Sequence, residues 1–501
     1  MPPTPGDSRA AANAATVLRT VLAHGPVARS GISALSGLSQ AAVSRQTTGL
    51  LRSGLLRELP HPSGTGGTGE AAGTAGPGTA GRPRIPLDLH TGAVGGPLAA
   101  GLHIGVPASN FSLVDLRGQV VARRTLPHTD GPPTSARLAT ELGRFLHEHG
   151  HTTPGHTTHG HTTHSHTTHD HSTPGHTTHD HSTPGHTTHD HSAPDHTTHG
   201  HTTHSHTTPG HAPHGHTGTT TEPPAKPAHR PLLGIGAALG GWIRPAEGIV
   251  VRHEALGWHD KPLAAELSTA LGLPVHLDNH ARAVARAEML FGHPSARRSI
   301  VHLFIGNVVD AAFGIEGTVH QGPGSAAGDV AHLPVPGSTA RCACGRTGCL
   351  QATASDTALG AEAVRLGIVP EPAIGLIVDA AATGDPRADR LLRERARAVG
   401  RAAALLLDVF NPAVLLVSEL SSILHEGCLD EIREAATAQS HVCDDPTRII
   451  GPHAGPAVLT QASATVLLDP LFQDPAAAPA LAAATAPTGP PDIAPHTPTR
   501  G

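Results

Sequence analysis

The spacing of apolar residues predicts short helices in the first 60 positions of the chain. In residues 14–23 the apolar side chains fall on one helical face, and a second helix ends at the turn residue Gly37. A third amphipathic helix runs through Leu51, and the strand-like segment 55–59 follows it. This order of elements predicts a winged helix-turn-helix domain over residues 1–60.

The third predicted helix has a polar outer face. Its apolar residues Val43, Leu50 and Leu51 would face the core. The outward positions are Ser39, Gln40, Ala41, Ser44, Arg45, Thr48 and Arg52. A recognition helix presents such a face to base edges in the major groove, and the six Arg of this segment outnumber its two acids. The alternative is an ordinary three-helix packing module with no role in DNA binding.

Residues 61–96 are interpreted as a wing or linker because Gly, Thr and Ala dominate their first part. Arg82 and Arg84 flank Pro83 near the middle of this segment. Such a narrow, cationic stretch suits the minor groove of A·T-rich DNA. The same pattern also fits a linker that is basic but does not contact DNA.

The pattern changes at residue 97, where a strand, a turn and a second strand are predicted ahead of another helix. Residues 147–229 are a low-complexity insertion, and 22 of the 42 His fall within residues 151–216. His pairs at this spacing bind Zn, Ni or Cu, so the insertion is either an expanded surface loop or a metal sensor. The Pro- and Ala-rich residues 474–501 are predicted to be disordered.

Composition excludes several classes of protein. A chain of 501 residues with 5 Cys is too long for one core and too poor in Cys for a disulfide scaffold, so two or three domains are expected. The net charge of −6 argues against a surface that binds polyanions everywhere. The chain has no apolar run of about 18 residues and no signal-peptide pattern at its start, so we expect a cytoplasmic protein with no membrane partner.

The most specific chemical signal is a cluster of potential metal ligands: His332, Cys342, Cys344 and Cys349. One imidazole and three thiolates make a closed tetrahedral set, which is typical of a structural zinc site with one ion per chain. Gly345 and Gly348 allow the tight turns between the ligands. Cys428 and Cys443 stand apart and are expected to be free thiols in a reducing compartment.

This cluster resembles the zinc signature of the ROK family of repressors, unassigned reading frames and sugar kinases. The family pattern, Gly-acid-x-Gly-His and then Cys-x-Cys-Gly-x2-Gly-Cys-Leu-Glu, reads here as GDVAH and CACGRTGCLQ. The resemblance covers about residues 12–60 and 80–470 and is strongest to regulators of the xylose or N-acetylglucosamine repressor type. It implies a mainly α winged helix-turn-helix followed by a two-lobed, actin-like α/β sugar-kinase domain with a zinc knuckle. The expected N-terminal lobe is 97–146 plus 230–285, and the expected C-terminal lobe is 286–473.

The family's kinases also carry nucleotide-binding loops, and this sequence departs from them. The Asp-x-Gly-Gly-Thr loop reads HIGVPAS at 103–109, and the second glycine-rich loop reads GNVVDAA at 306–312, where Asp310 would repel phosphate. Ser418-Glu419 stands where the family has a Gly-Gly pair after a late strand, and His280 stands at the position of the family's catalytic Asp. Because phosphoryl transfer depends on positioning around ATP and Mg²⁺, we expect a kinase-derived binding protein and no enzyme.

The resemblance also implies a sugar site between the lobes. The residues at the family's sugar-contacting positions are Asn279, His280, Asp329, His332 and Gln351. Asp329 and Gln351 stand where the family has Glu, but polar groups remain throughout, as a carbohydrate site requires. A degenerate cleft that binds no sugar is the alternative.

Together these features predict a transcriptional regulator, most simply a repressor. It would bind double-stranded operator DNA as a homodimer or homotetramer and respond to a sugar effector. Two alternatives remain open at this point. One is an active ROK sugar kinase with a DNA-binding module, and the other is a metal-responsive regulator that uses the His-rich insertion.

Overall fold

A computed structural model of the protein describes residues 5–60, 85–92, 95–153, 230–425 and 427–477. The described residues all belong to one compact unit. The predictions for Arg82, for Arg84, for nearly all of the His-rich insertion and for the tail from residue 478 lie outside the described residues.

The N-terminal region is a winged helix-turn-helix, as the sequence predicts. Its helices are α1 (Pro5–His24), α2 (Arg29–Ser36) and α3 (Gln40–Arg52), and its strands are β1 (Val27–Ala28), β2 (Leu56–Glu58) and β3 (Pro86–Leu89). The strands form an antiparallel sheet in the order β1-β3-β2. Gly37, at φ 72°, makes the turn between α2 and α3, and the Ser39 hydroxyl accepts a hydrogen bond from the Ala42 N–H to cap α3.

The first lobe is built on a five-stranded sheet with the order β11-β7-β4-β5-β6. Its strands are β4 (Leu98–Ile104), β5 (Ala108–Asp115), β6 (Val120–Pro127), β7 (Leu232–Leu239) and β11 (Val275–Asn279). Every residue of β4 and β7 is buried, which fits central strands covered on both faces. A smaller sheet of β8 (Trp242–Arg244), β9 (Ile249–His253) and β10 (Trp258–Lys261) adjoins it, with helices α4 (Ser135–Glu148), α5 (Leu263–Leu271) and α6 (His280–Phe291).

The second lobe has its own five-stranded sheet, with the order β14-β13-β12-β15-β16. Its strands are β12 (Ser299–Ile305), β13 (Val309–Ile315), β14 (Thr318–Val319), β15 (Val414–Glu419) and β16 (Ile449–Ile450). Its helices are α7 (Leu350–Ala354), α8 (Asp356–Arg365), α9 (Ile374–Ala382), α10 (Pro386–Phe410), α11 (Leu420–Leu424) and α12 (Cys428–Thr437). Each sheet has its own apolar cluster, and a further cluster joins Ala238 of β7 with Ile300 of β12 and Leu416 of β15.

The last helix, α13 (Val458–Gln473), packs on the first lobe. It crosses the first sheet at Gly101 and Gly236, where any Cβ would clash with Ser463. Thr460 accepts a hydrogen bond from the buried Ser112 hydroxyl through its carbonyl oxygen, at 2.9 Å. Helix α13 lies within the predicted C-terminal lobe, 286–473, and it packs on the first sheet because small residues there leave space for it.

The winged helix-turn-helix rests directly on the first lobe. Leu18 of α1 and Leu89 of β3 share one buried apolar cluster with Leu468 and Phe472 of α13. The Arg19 guanidinium donates to the Phe472 carbonyl oxygen at 3.0 Å, across the same contact. The DNA-binding module and the C-terminal helix therefore share a core, although the sequence suggests separate domains.

No helix within the described ranges combines the length and the apolar character needed to cross a membrane.

Candidate functional site

The predicted metal ligands come together in the long loop between β14 and α7. The donor atoms of His332, Cys342, Cys344 and Cys349 all lie within 4.8 Å of one another. The Cys344 and Cys349 sulfurs are 3.7 Å apart, and the Cys342 sulfur is 3.7 Å from His332 Nδ1. Tetrahedral zinc with Zn–S bonds of about 2.3 Å requires sulfurs roughly 3.8 Å apart. The donor set and its spacing therefore fit one zinc ion.

The backbone around these ligands is fixed by two tight turns. Gly345, at φ 87°, lets its N–H bond to the Cys342 carbonyl oxygen, and Gly348 has φ 74°. Cys349 is buried and directly precedes α7, so a metal bound there would tie the loop to that helix. Both remaining cysteines, Cys428 and Cys443, are buried free thiols, as predicted.

The thiols of the cluster differ in proton affinity. Hydrogen bonds from the Arg346 backbone and side chain lower the pKa of Cys344 to about 6. Burial and the neighbouring sulfurs raise the pKa of Cys349 to about 11. Three thiolates held close together repel one another unless a cation neutralises them. The arrangement therefore favours binding of a divalent metal ion.

A cleft of about 1760 Å³ runs beside this loop and is bounded by both lobes. Four of the five predicted sugar-contacting residues line it: Asn279, Asp329, His332 and Gln351. Asp329 is exposed, and its Oδ1 accepts a hydrogen bond from the Ala331 N–H at 3.2 Å. His332 turns Nδ1 toward the sulfurs while it borders the cleft, so the metal cluster and the cleft share one side chain.

The fifth predicted residue, His280, does not line the cleft. It is 3% exposed and stacks between His103 and Phe304, with ring centroids 5.9 and 4.0 Å away. Its Nε2 lies 3.1 Å from Asp310 Oδ2. In this structure the His280 imidazole packs inward against Phe304, and its contact with a sugar stays a prediction.

Asp310 occupies the cleft wall in front of His280. Its Oδ2 accepts hydrogen bonds from Asn279 Nδ2 at 3.2 Å and from the Gly241 N–H at 3.4 Å, in addition to His280. Burial alone would raise the pKa of Asp310, but the hydrogen bonds and the charge of His280 lower it below its ordinary value. From the sequence, Asp310 is interpretable only as a group that repels phosphate, because no local pattern places it beside Asn279.

Gln351 braces the loop between β12 and β13. Its Oε1 accepts from the Val309 N–H at 2.8 Å, and its Nε2 donates to the Asn307 carbonyl oxygen at 2.7 Å. Both polar atoms are therefore engaged by the protein. Gln351 borders the cleft. Its hydrogen bonds to the backbone of Val309 and Asn307 also fix the start of the strand that carries Asp310.

A buried network of ion pairs lies at the end of β15. Arg395 and Glu419 are both fully buried and lie 2.7 Å apart, and Arg395 also pairs with Asp356 at 2.6 Å. Glu419 and Ser418 occupy the position of the family's Gly-Gly pair. Charged side chains thus fill the space in which two glycines would leave room for a ligand.

The predicted DNA-binding face is exposed. All seven described residues of this face are accessible: Ser39, Gln40, Ala41, Ser44, Arg45, Thr48 and Arg52. Val43, Thr47 and Leu50 are buried on the opposite side of α3. Neither Arg45 nor Arg52 forms an ion pair with the described part of the chain, so both guanidinium groups are available to a ligand.

The fold and these sites define a class: a two-lobed α/β domain of the sugar-kinase type, with a Cys3His cluster beside its cleft and a winged helix-turn-helix attached. Residues 220–454 match the sequence profile described as the ROK family. Over these residues the chain is similar to the ROK family.

Similar proteins include transcriptional regulators and glucokinases. A transcriptional regulator of Mycobacterium tuberculosis is 29% identical over 492 residues, which cover 95% of this chain and 89% of that protein. The xylose repressor of Caldicellulosiruptor bescii is 29% identical over 42% of this chain and 56% of its own length. Glucokinases also match shorter stretches. The crystal structure of a ROK family transcriptional regulator, a homologue of E. coli Mlc, matches 93% of this chain and 100% of its own with a TM-score of 0.59 at 21% identity, which supports the fold.

Proposed function

We propose that the chain is a ROK-family transcriptional repressor that binds operator DNA through α3 and responds to a sugar in the cleft. The observation that carries this proposal is the exposed polar face of α3 in a winged helix-turn-helix, with Arg45 at its centre and in no ion pair with the described residues. A relative that is named a transcriptional regulator and aligns over 95% of the chain supports it.

Arg45→Ala is expected to weaken binding to the operator by about 10- to 100-fold, because an Arg side chain on base edges contributes about 1–3 kcal/mol. The measurement is fluorescence anisotropy at fixed salt, with the full chain and DNA from the region upstream of its own gene. Scrambled DNA of the same length gives the non-specific affinity. Arg144→Ala is the matched control, because Arg144 is a 54% exposed Arg on α4, far along the chain from α3.

Equal affinity for operator and scrambled DNA in the wild-type chain would refute the proposal. An Arg45→Ala variant that binds as tightly as Arg144→Ala would refute the assignment of α3 as the recognition helix.

Loss of kinase activity is the second part of the proposal. Ser418 and Glu419 take the position of the family's Gly-Gly, with Glu419 paired to the buried Arg395, and Val308 and Val309 replace loop glycines. Backbone N–H groups need glycine to approach phosphate closely, and Asp310 adds a negative charge on the same wall. ATP-dependent phosphorylation of a sugar by the purified chain would instead support the kinase alternative.

A series of interacting charged side chains connects the cleft to the winged helix-turn-helix. Asp278, next to Asn279, is 1% exposed and forms an ion pair with Arg286. Arg286 also pairs with Asp469 of α13 at 3.4 Å. Asp469 and Arg19 of α1 interact electrostatically, and α13 contacts α1 directly. A ligand that moves Asn279 therefore has a short, packed route to the recognition domain.

The structural zinc and the oligomer complete the proposal. One zinc ion per chain on the Cys3His cluster would hold the loop that borders the cleft. A homodimer or homotetramer would place two recognition helices on a palindromic operator, and sugar binding would release DNA if it favours a state with a different half-site spacing.

A further inference from the structure

The Asp310 carboxylate accepts hydrogen bonds from the described residues through only one of its two oxygens. Among the described residues, three donors converge on Oδ2, from Asn279, His280 and Gly241. No hydrogen bond from those residues reaches Oδ1. Because Asp310 lines the cleft and its Oδ2 is occupied by these three donors, Oδ1 is the oxygen left to accept from a ligand.

This carboxylate is rigid before any ligand arrives. Asn279 is fixed at the start of α6, where its Oδ1 accepts from the Ala281 N–H at 2.8 Å, and its Nδ2 also donates to the Gly241 carbonyl oxygen at 2.9 Å. His280 is clamped between two aromatic rings. A preorganised acceptor of this kind binds a donor without a cost in side-chain ordering.

Two of the arginines that line the cleft, Arg252 and Arg282, are engaged by the protein itself. The Arg282 guanidinium points to Asp278 at 2.7 Å and to the Ser325 and Ile243 carbonyl oxygens at 3.1 Å. Arg252 pairs with Glu254 at 3.1 Å. Asp329 adds a second carboxylate to the same lining. These two cations are therefore engaged, while Asp310 and Asp329 present carboxylates to the cleft.

We infer that Asp310 sets the specificity of the cleft: its free oxygen accepts a hydroxyl hydrogen bond from an unphosphorylated sugar and repels a phosphorylated one. This inference rests on the proposed function, because it names the chemical class of the effector for the same cleft. Asp310 replaces the acceptor that the family provides at the position of His280. A hydrogen bond from a neutral donor to a carboxylate is strong, whereas a phosphate would meet the like charge of Asp310.

The test is isothermal titration calorimetry on the full chain with two matched pairs of probes: D-glucose and glucose 6-phosphate, and N-acetyl-D-glucosamine and its 6-phosphate. At least one neutral sugar is expected to bind, at least about tenfold more tightly than its phosphate. Asp310→Asn is expected to weaken binding of the neutral sugar about tenfold. It should also reduce the ratio between the affinities for the neutral sugar and for its phosphate. Asp408→Asn is the control, because its carboxylate is also held by a hydroxyl and a backbone N–H but lies outside the cleft lining.

The ratio separates specificity from structural support, because a residue that only stabilises the cleft would weaken both members of a pair equally. Equal weakening, a phosphate that binds as tightly as its neutral partner, or a wild-type chain that binds neither neutral sugar at about 10 mM would each overturn the inference. Operator binding is measured separately, so its loss would reject the proposed function and leave the sugar result standing.

Discussion

Cys349→Ser is expected to remove zinc from the chain and to lower its stability by more than about 3 kcal/mol. Cys349 is buried at the start of α7 and its sulfur lies 3.7 Å from that of Cys344, so the metal would join the helix to the loop. A serine hydroxyl stays protonated near neutral pH and cannot replace the thiolate. The measurement is zinc content by elemental analysis, together with thermal unfolding.

Cys443→Ser is the matched control, because Cys443 is also buried but lies outside the cluster. This variant should keep one zinc per chain. Stoichiometric zinc in Cys349→Ser, or an unfolding temperature that does not change when a chelator strips the wild-type protein, would contradict the assignment of a structural metal.

The same site should lose zinc affinity as the pH falls. The cysteines must be deprotonated to bind the metal, and burial raises the pKa of Cys349 to about 11. Protons therefore compete with zinc over the whole range below that value, and each step down in pH favours the protonated thiol. The loss follows from competition between protons and zinc for the thiolates, and measuring the zinc content at falling pH checks it.

Arg395→Met is expected to destabilise the chain by about 3–5 kcal/mol, because it leaves the buried Glu419 carboxylate without its partner. Arg395 and Glu419 are both fully buried, and Arg395 also donates through Nε to the Ala354 carbonyl oxygen at 2.8 Å. Chemical denaturation of the two proteins measures the difference. The double variant Arg395→Met with Glu419→Gln should recover part of the loss, since it removes the uncompensated charge.

Arg397→Met provides the control for this prediction. Arg397 lies two residues away on α10 and pairs with Glu431 at 2.9 Å, but its side chain is 47% exposed. An exposed pair contributes about 0–1 kcal/mol. Equal losses in Arg395→Met and Arg397→Met would show that the pair at the end of β15 does not behave as a buried ion pair.

Local features of this chain could be predicted from its sequence. The helices of the DNA-binding module follow from apolar periodicity and from Gly37, and the Cys3His cluster follows from the spacing of His332, Cys342, Cys344 and Cys349. In both cases the relevant residues lie close together in the chain, so the pattern itself carries the information.

Long-range features could not be predicted in this way. Asp310 lies 31 positions from Asn279, and only the pairing of the two lobes brings their side chains together. The inward turn of His280 depends on Phe304 and His103, which come from different strands. Helix α13 returns to the first sheet because Gly101 and Gly236 leave space for it, and a glycine in a buried strand does not reveal its partner.

The central claim is that one chain joins a sugar cleft to a DNA-binding face. The most direct test is the operator affinity of the full chain, measured at fixed salt during a titration with the neutral sugar that binds most tightly. We predict that saturating sugar weakens operator binding by about 5- to 150-fold and leaves affinity for scrambled DNA unchanged. Unchanged operator affinity at saturating sugar would contradict the claim, because coupling requires the sugar to distinguish two states of the protein.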